Sequence, residues 1–106
     1  MNQQEDEQHQ ATLRRSLEQN KELLEEHLAK LSDPAKAVQV VYNIQEITME
    51  LEQPKIYGAK LTPDQYLTVL DRTENWYTSR DLLYPQPARL KEQRTFWESR
   101  KQATSS

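Results

Sequence analysis

Histidine is the side-chain type suited to proton transfer near neutrality, and the chain has two, His9 and His27. His27 follows Glu25 and Glu26, but adjacent residues of a helix do not share a face, and no serine or lysine stands at a spacing that would make a nucleophile of it. It reads as a helix-surface or boundary histidine, and His9 falls in the polar start of the chain. A carboxylate-bridged dimetal centre in a bundle needs Glu-x-x-His motifs on two helices, and the sequence contains none. The absence of cysteine excludes disulfides, thiolate zinc sites and a cysteine nucleophile. The expectation is a protein that is not an enzyme, with no catalytic residue, no metal and no cofactor.

Binding chemistry is easier to locate. Between residues 89 and 101 the chain interleaves cations with rings: Arg89, Leu90, Lys91, Arg94, Phe96, Trp97, Arg100 and Lys101. That mixture suits an acidic protein, a membrane surface or a nucleic acid. The competing reading packs Leu90 and Trp97 onto a core and leaves the arginines solvated. The charge balance marks the same segment. Residues 1 to 79 carry 8 Lys and Arg against 14 Asp and Glu, whereas residues 80 to 106 carry 6 against 3, so the chain's net −3 divides into −6 and +3. An acidic body argues against a general nucleic-acid binder, which needs a broad positive footprint. The residues expected to meet a partner are Arg89, Leu90, Arg94, Phe96, Trp97, Arg100 and Lys101.

These side chains need a scaffold. The 106 residues amount to one domain with one small core, here 35% hydrophobic and 29% charged, which suits a thin helical bundle. A single glycine, Gly58, argues against hairpins and phosphate loops. Residues 1–8 lack apolar periodicity and are expected to fray, and residues 102–106 are expected to be disordered. Leu13, Leu17, Leu24, Leu28 and Leu31 make a narrow stripe that predicts a first helix over 9–31. Asn20 and His27 fall on the companion heptad position, where a buried asparagine would fix the register of a dimer and an exposed one would mark a wet edge.

Ser32 or Asp33 can cap a second helix over 34–52, with Pro34 in its first turn. Its Ala37, Val40, Val41, Ile44, Ile47 and Leu51 form one apolar arc, and Val38, Tyr42 and Met49 form another beside it. Pro54 ends this helix, and Ile56 and Tyr57 are expected to fold back on the bundle. Thr62, Pro63 and Gln65 spell a capping box that opens a third helix reaching about 82. Tyr66, Val69, Leu70, Thr73, Trp76 and Tyr77 follow at helical spacing, so these rings are expected to fill the core. Pro85 and Pro87 precede a short fourth helix over 88–101. The fold class is all-α, an antiparallel four-helix bundle with a short C-terminal fourth helix, in a single domain over 1–106.

Residues 37–83 resemble the immunity proteins of pediocin-like bacteriocins. The resemblance rests on "AVQVVYNIQEIT" in the second helix, then a loop, a basic residue and "LTPDQYLTVL" at the start of the third. It covers less than half of the chain. It implies a soluble intracellular bundle that protects a bacterium from a membrane-targeting peptide by acting with the membrane sugar transporter that serves as the peptide's receptor. It also implies that specificity lies in the C-terminal helix, here Leu90 through Lys101. The loop "EQPKIYGAK" is longer and the body more acidic than that family's pattern. No apolar run is long enough to cross a bilayer and no leader opens the chain, so a cytoplasmic protein is expected. The functional expectation is a monomeric, non-enzymatic protein-binding bundle whose sharpest version is bacteriocin immunity with a membrane-embedded receptor complex as partner. The alternative is a small dimeric regulator or adaptor that touches nucleic acid through its basic C-terminal segment.

Overall fold

The computed structural model describes residues 3–52 and 60–105. The loop carrying Pro54, Ile56, Tyr57 and Gly58 lies outside the described residues. The chain is all-α, with four antiparallel helices: α1 Gln3–Lys30, α2 Val38–Glu52, α3 Pro63–Thr78 and α4 Pro87–Ser105. α1 packs on α2, α2 on α3, and α3 on α4. Among the described residues, no Cα pair closer than 8 Å joins α1 to α3, α1 to α4 or α2 to α4. The helices therefore follow one another in an open array, 50 × 42 × 17 Å, with a radius of gyration of 15.9 Å. A compact chain of this length has a radius near 13 Å.

Several helix ends differ from the sequence expectation. α1 starts at Gln3, ahead of the predicted residue 9, because a helix can run on through polar helix formers without core contact. Residues 34–36 do not open α2. They form a separate 3₁₀ turn capped by Asp33, whose carboxylate accepts the Ala35 N–H at 3.0 Å, and α2 begins only at Val38. α4 extends to Ser105, beyond the predicted 101.

α3 begins as its capping box predicts. Thr62 N–H donates to Gln65 Oε1 at 2.8 Å and Gln65 N–H donates to Thr62 Oγ1 at 3.2 Å. Its end is earlier than 82. Leu82 N–H reaches back to the Tyr77 carbonyl and Asp81 N–H to the Thr78 carbonyl, the paired bonds of a Schellman motif. That motif needs a left-handed residue at the position after the cap, and Asp81 supplies it with φ 56°.

Two buried clusters hold the array. At one end Ala37, Val41 and Tyr77 are buried, with Leu28, Leu31, Val38, Trp76, Leu82 and Tyr84 around them. This is where α1, α2, α3 and the turn before α4 converge. Tyr77 is fully buried, and its hydroxyl donates to the Pro34 carbonyl at 2.7 Å. Its ring meets Trp76 and Tyr84 edge-on, with centroids 4.8 and 5.4 Å away. At the other end Met49, Leu61 and Val69 are buried beside Tyr42 and Tyr66. The Val38, Tyr42 and Met49 patch thus serves these internal contacts. Between the clusters, buried Thr73 satisfies its own hydroxyl by donating to the Val69 carbonyl at 2.7 Å.

α1 is the least covered helix. Leu13, Leu17, Leu24 and Leu28 are half-buried, as is Leu31 just past its end, and Lys21 takes the place in this stripe that heptad spacing assigns to Asn20. Asn20 and His27 are exposed. α1 is about 42 Å long and α2 about 22 Å, so the N-terminal end of α1 projects beyond its partner by about 20 Å.

Burial pushes the Tyr77 phenol up to about 12 from an ordinary value near 10, with Tyr84 and Asp33 adding to the shift. A raised folded value means that its contribution to stability is complete below pH 10 and is lost as pH rises through 12. Tyr77→Phe is expected to lower stability at pH 7 by about 1 kcal/mol through the lost hydrogen bond, since the Pro34 carbonyl keeps the Ala37 N–H as a partner. The variant should also show a weaker fall in stability between pH 10 and 12. Urea unfolding of both proteins at pH 7, 10 and 11.5 tests both statements.

Candidate functional site

The basic and aromatic residues of α4 divide between two faces. At 100° per residue, Leu90, Arg94, Trp97 and Lys101 share one stripe, whereas Arg89, Phe96 and Arg100 lie on another about 110° away. The structure uses the first stripe to dock α4 onto α3. Leu90 is buried, and Trp97 stacks on Tyr66 with centroids 4.1 Å apart and planes 9° from parallel. Arg94 donates to Asp71 and, at 2.9 Å, to Glu74 Oε1. Lys101 Nζ lies 2.9 Å from Asp64 Oδ1.

The pairs 101 with 64, 97 with 66, and 94 with 71 run in opposite directions along the two helices, as an antiparallel hairpin requires. Burial works against the Arg94 charge, yet the hydrogen bond and charge of Asp71, together with Glu74, hold the guanidinium above its usual value. The hydrogen bond to Asp64 likewise raises Lys101. Four of the seven residues expected to meet a partner therefore have an internal one. Positive tail and negative body meet across the α3–α4 hairpin. Asp64, Asp71 and Glu74 were the functional residues missed in the sequence. Their signal was available, since acids at 64 and 71 repeat at the same seven-residue interval as the cations at 94 and 101.

The second stripe faces outward. Phe96 is 48% exposed, a large value for a phenylalanine, and the Arg100 guanidinium lies 5.0 Å from its ring centroid. Phe96 also touches Trp97 edge-on at 4.8 Å, so the docked stripe braces the exposed ring. Thr95, Phe96, Ser99 and Arg100 border an open depression of about 460 Å³. Arg89 stands about two turns from Phe96, and it borders a cleft of about 100 Å³ between α2 and the start of α4. Val38, Tyr42, Tyr84 and Gln93 line that cleft with it. Burial raises the phenols of both tyrosines, with Glu46 adding to the effect at Tyr42 and Glu74 at Tyr84, so both are neutral hydroxyls at physiological pH. A cleft this size admits a side chain and not a cofactor, whose sites span roughly 300–1,000 Å³.

Among the described residues, no group of three His, Asp or Glu side chains is placed to hold a metal ion. No described helix is long and apolar enough to cross a membrane. The chain matches no protein family, no curated protein and no solved structure.

Docking of α4 rests on one stacked ring pair and on charge. Trp97→Ala is expected to cost about 2–3 kcal/mol and Arg94→Ala about 1–2 kcal/mol. Both changes should speed amide exchange in α4 well before it rises in α2. Raising the salt to about 1 M should reproduce part of the Arg94→Ala effect and little of the Trp97→Ala effect. Hydrogen exchange read by mass spectrometry distinguishes these outcomes.

Proposed function

We propose that this protein is a non-enzymatic binding module whose partner is another protein, engaged through the outward stripe of α4. The observation that carries the reading is Phe96, exposed on a helix that is otherwise anchored through Leu90, Arg94, Trp97 and Lys101. A rigidly held exposed ring flanked by arginines loses little conformational freedom on binding, and aromatic and arginine side chains dominate the energetics of protein interfaces. In the sharper form of the proposal the module confers bacteriocin immunity, and Arg89, Phe96 and Arg100 address a membrane-embedded receptor complex from the cytoplasmic side. The all-α antiparallel architecture is compatible with the resemblance in α2 and α3 that suggests this role.

The alternative, a regulator that contacts nucleic acid through α4, is less well supported. Of the five cations on α4, Arg94 and Lys101 are engaged by carboxylates of α3, which reduces the charge available to displace counterions from phosphates.

A photo-crosslinking phenylalanine analogue placed at residue 96 in the native host should capture one defined protein, and the same analogue at exposed Ser79 should not. Phe96→Ala with Arg100→Ala should abolish capture from a neighbouring probe at Ser99 while leaving the thermal midpoint within about 2 °C. For the sharper form, expression in a bacterium sensitive to pediocin-like peptides should protect it, and the double substitution should remove protection. Salt-sensitive binding to duplex DNA with no protein crosslink would instead support the alternative.

A further inference from the structure

The α1–α2 hairpin has a groove that the chain itself leaves open. Asn20, Leu23 and Leu24 of α1 and Asn43, Glu46 and Ile47 of α2 line it, around a volume of about 390 Å³. Leu23, at its rim, is 62% exposed. It also borders a second depression of about 360 Å³ on the outer side of α1, beside Gln19, Glu22 and Glu26. Leu23 is thus a ridge standing directly beside a groove.

We propose that this face is a homodimer interface, in which α1 of one copy lies in the α1–α2 groove of the other and the two hairpins close into a four-helix core. Three observations select a second copy as the occupant. A ridge and a groove that adjoin on one surface are satisfied together by a two-fold axis, because each copy presents both. The surface account agrees. The chain exposes 7682 Å², whereas a compact monomer of 12.6 kDa exposes about 6,200 Å². The difference of about 1,500 Å² exceeds the roughly 800 Å² that each partner contributes to a standard interface.

The third observation is the state of α1. Residues 7–30 are all half-buried or exposed, and the stripe ahead of Leu28 meets no helix but α2 among the described residues. A helix that contributes five leucines to a seam completes their burial by acquiring a second neighbour. Asn20 and Asn43, which line the groove with Leu23, Leu24, Ile47 and Glu46, then set the register of the two copies.

Sedimentation velocity on the full chain, from about 1 µM to 1 mM, tests the proposal. The expected result is a concentration-dependent shift from 12.6 kDa to twice that mass. Leu23→Glu should weaken the association about 100-fold or more, because it places an unpaired carboxylate in the interface. Its circular dichroism should not change, since residue 23 is exposed in the single chain. Arg100→Glu, on α4 and outside the groove, should leave the association unaltered. A chain that stays monomeric throughout overturns the proposal and leaves the groove to a foreign helix. A dimer that persists in Leu23→Glu and responds to Arg100→Glu overturns it as well, by moving the interface to α4.

Discussion

The seating of Tyr77 under the turn between α1 and α2 is the contact on which the rest of the arrangement depends. Its ring is fully enclosed by Ala37 at the end of the 3₁₀ turn, Val41 of α2, Trp76 of its own helix, and Leu82 and Tyr84 of the following turn, while its hydroxyl holds the Pro34 carbonyl. One side chain therefore joins the α1–α2 hairpin to the α3–α4 hairpin. Thr78 and Leu82 are fixed at the same point by the Schellman motif, so the direction in which α4 leaves is set there too. A phenol buried in this way gains from ring packing along its whole perimeter, and its single polar atom is matched to the one carbonyl within reach.

A scaffold whose two hairpins meet only along α2 and α3 need not close. α1 touches α2 and projects past it, and α4 touches α3, so the array presents two broad faces. The faces differ in chemistry. On α4 the exposed features are a braced phenylalanine and arginines, suited to recognition of another molecule. On α1 and α2 they are a leucine ridge and an apolar groove, suited to self-association. Charge has a structural task before any recognition task. The carboxylates of α3 and the cations of α4 pair across their hairpin, and Arg94 stays charged despite burial because two acids face it. Such pairs in partly exposed positions contribute modestly to stability, but they specify which side of α4 turns inward.

Much of the local structure was legible in the sequence. The capping box at Thr62 and Gln65, the apolar arc of α2, the internal role of Val38, Tyr42 and Met49, and the burial of Tyr77 all follow from spacing and local hydrogen-bond chemistry. Helix ends were less legible. The 3₁₀ turn at Pro34–Lys36 and the left-handed Asp81 depend on backbone geometry that several residue types tolerate, and the polar ends of α1 and α4 carry no apolar signal to mark where they stop.

The sequence by itself determined four helices, their order, and the faces each would bury, because periodicity and capping act within a few residues of the chain. Tertiary structure alone decided whether those helices closed into a compact bundle or opened into an array, since that depends on how ridges of non-adjacent helices meet. It likewise decided the use of the basic tail. The cations at 94 and 101 carry the same charge as those at 89 and 100, and only the placement of α3, with Asp64, Asp71 and Glu74 on the facing side, separates the charges that hold the fold from the outward stripe of α4.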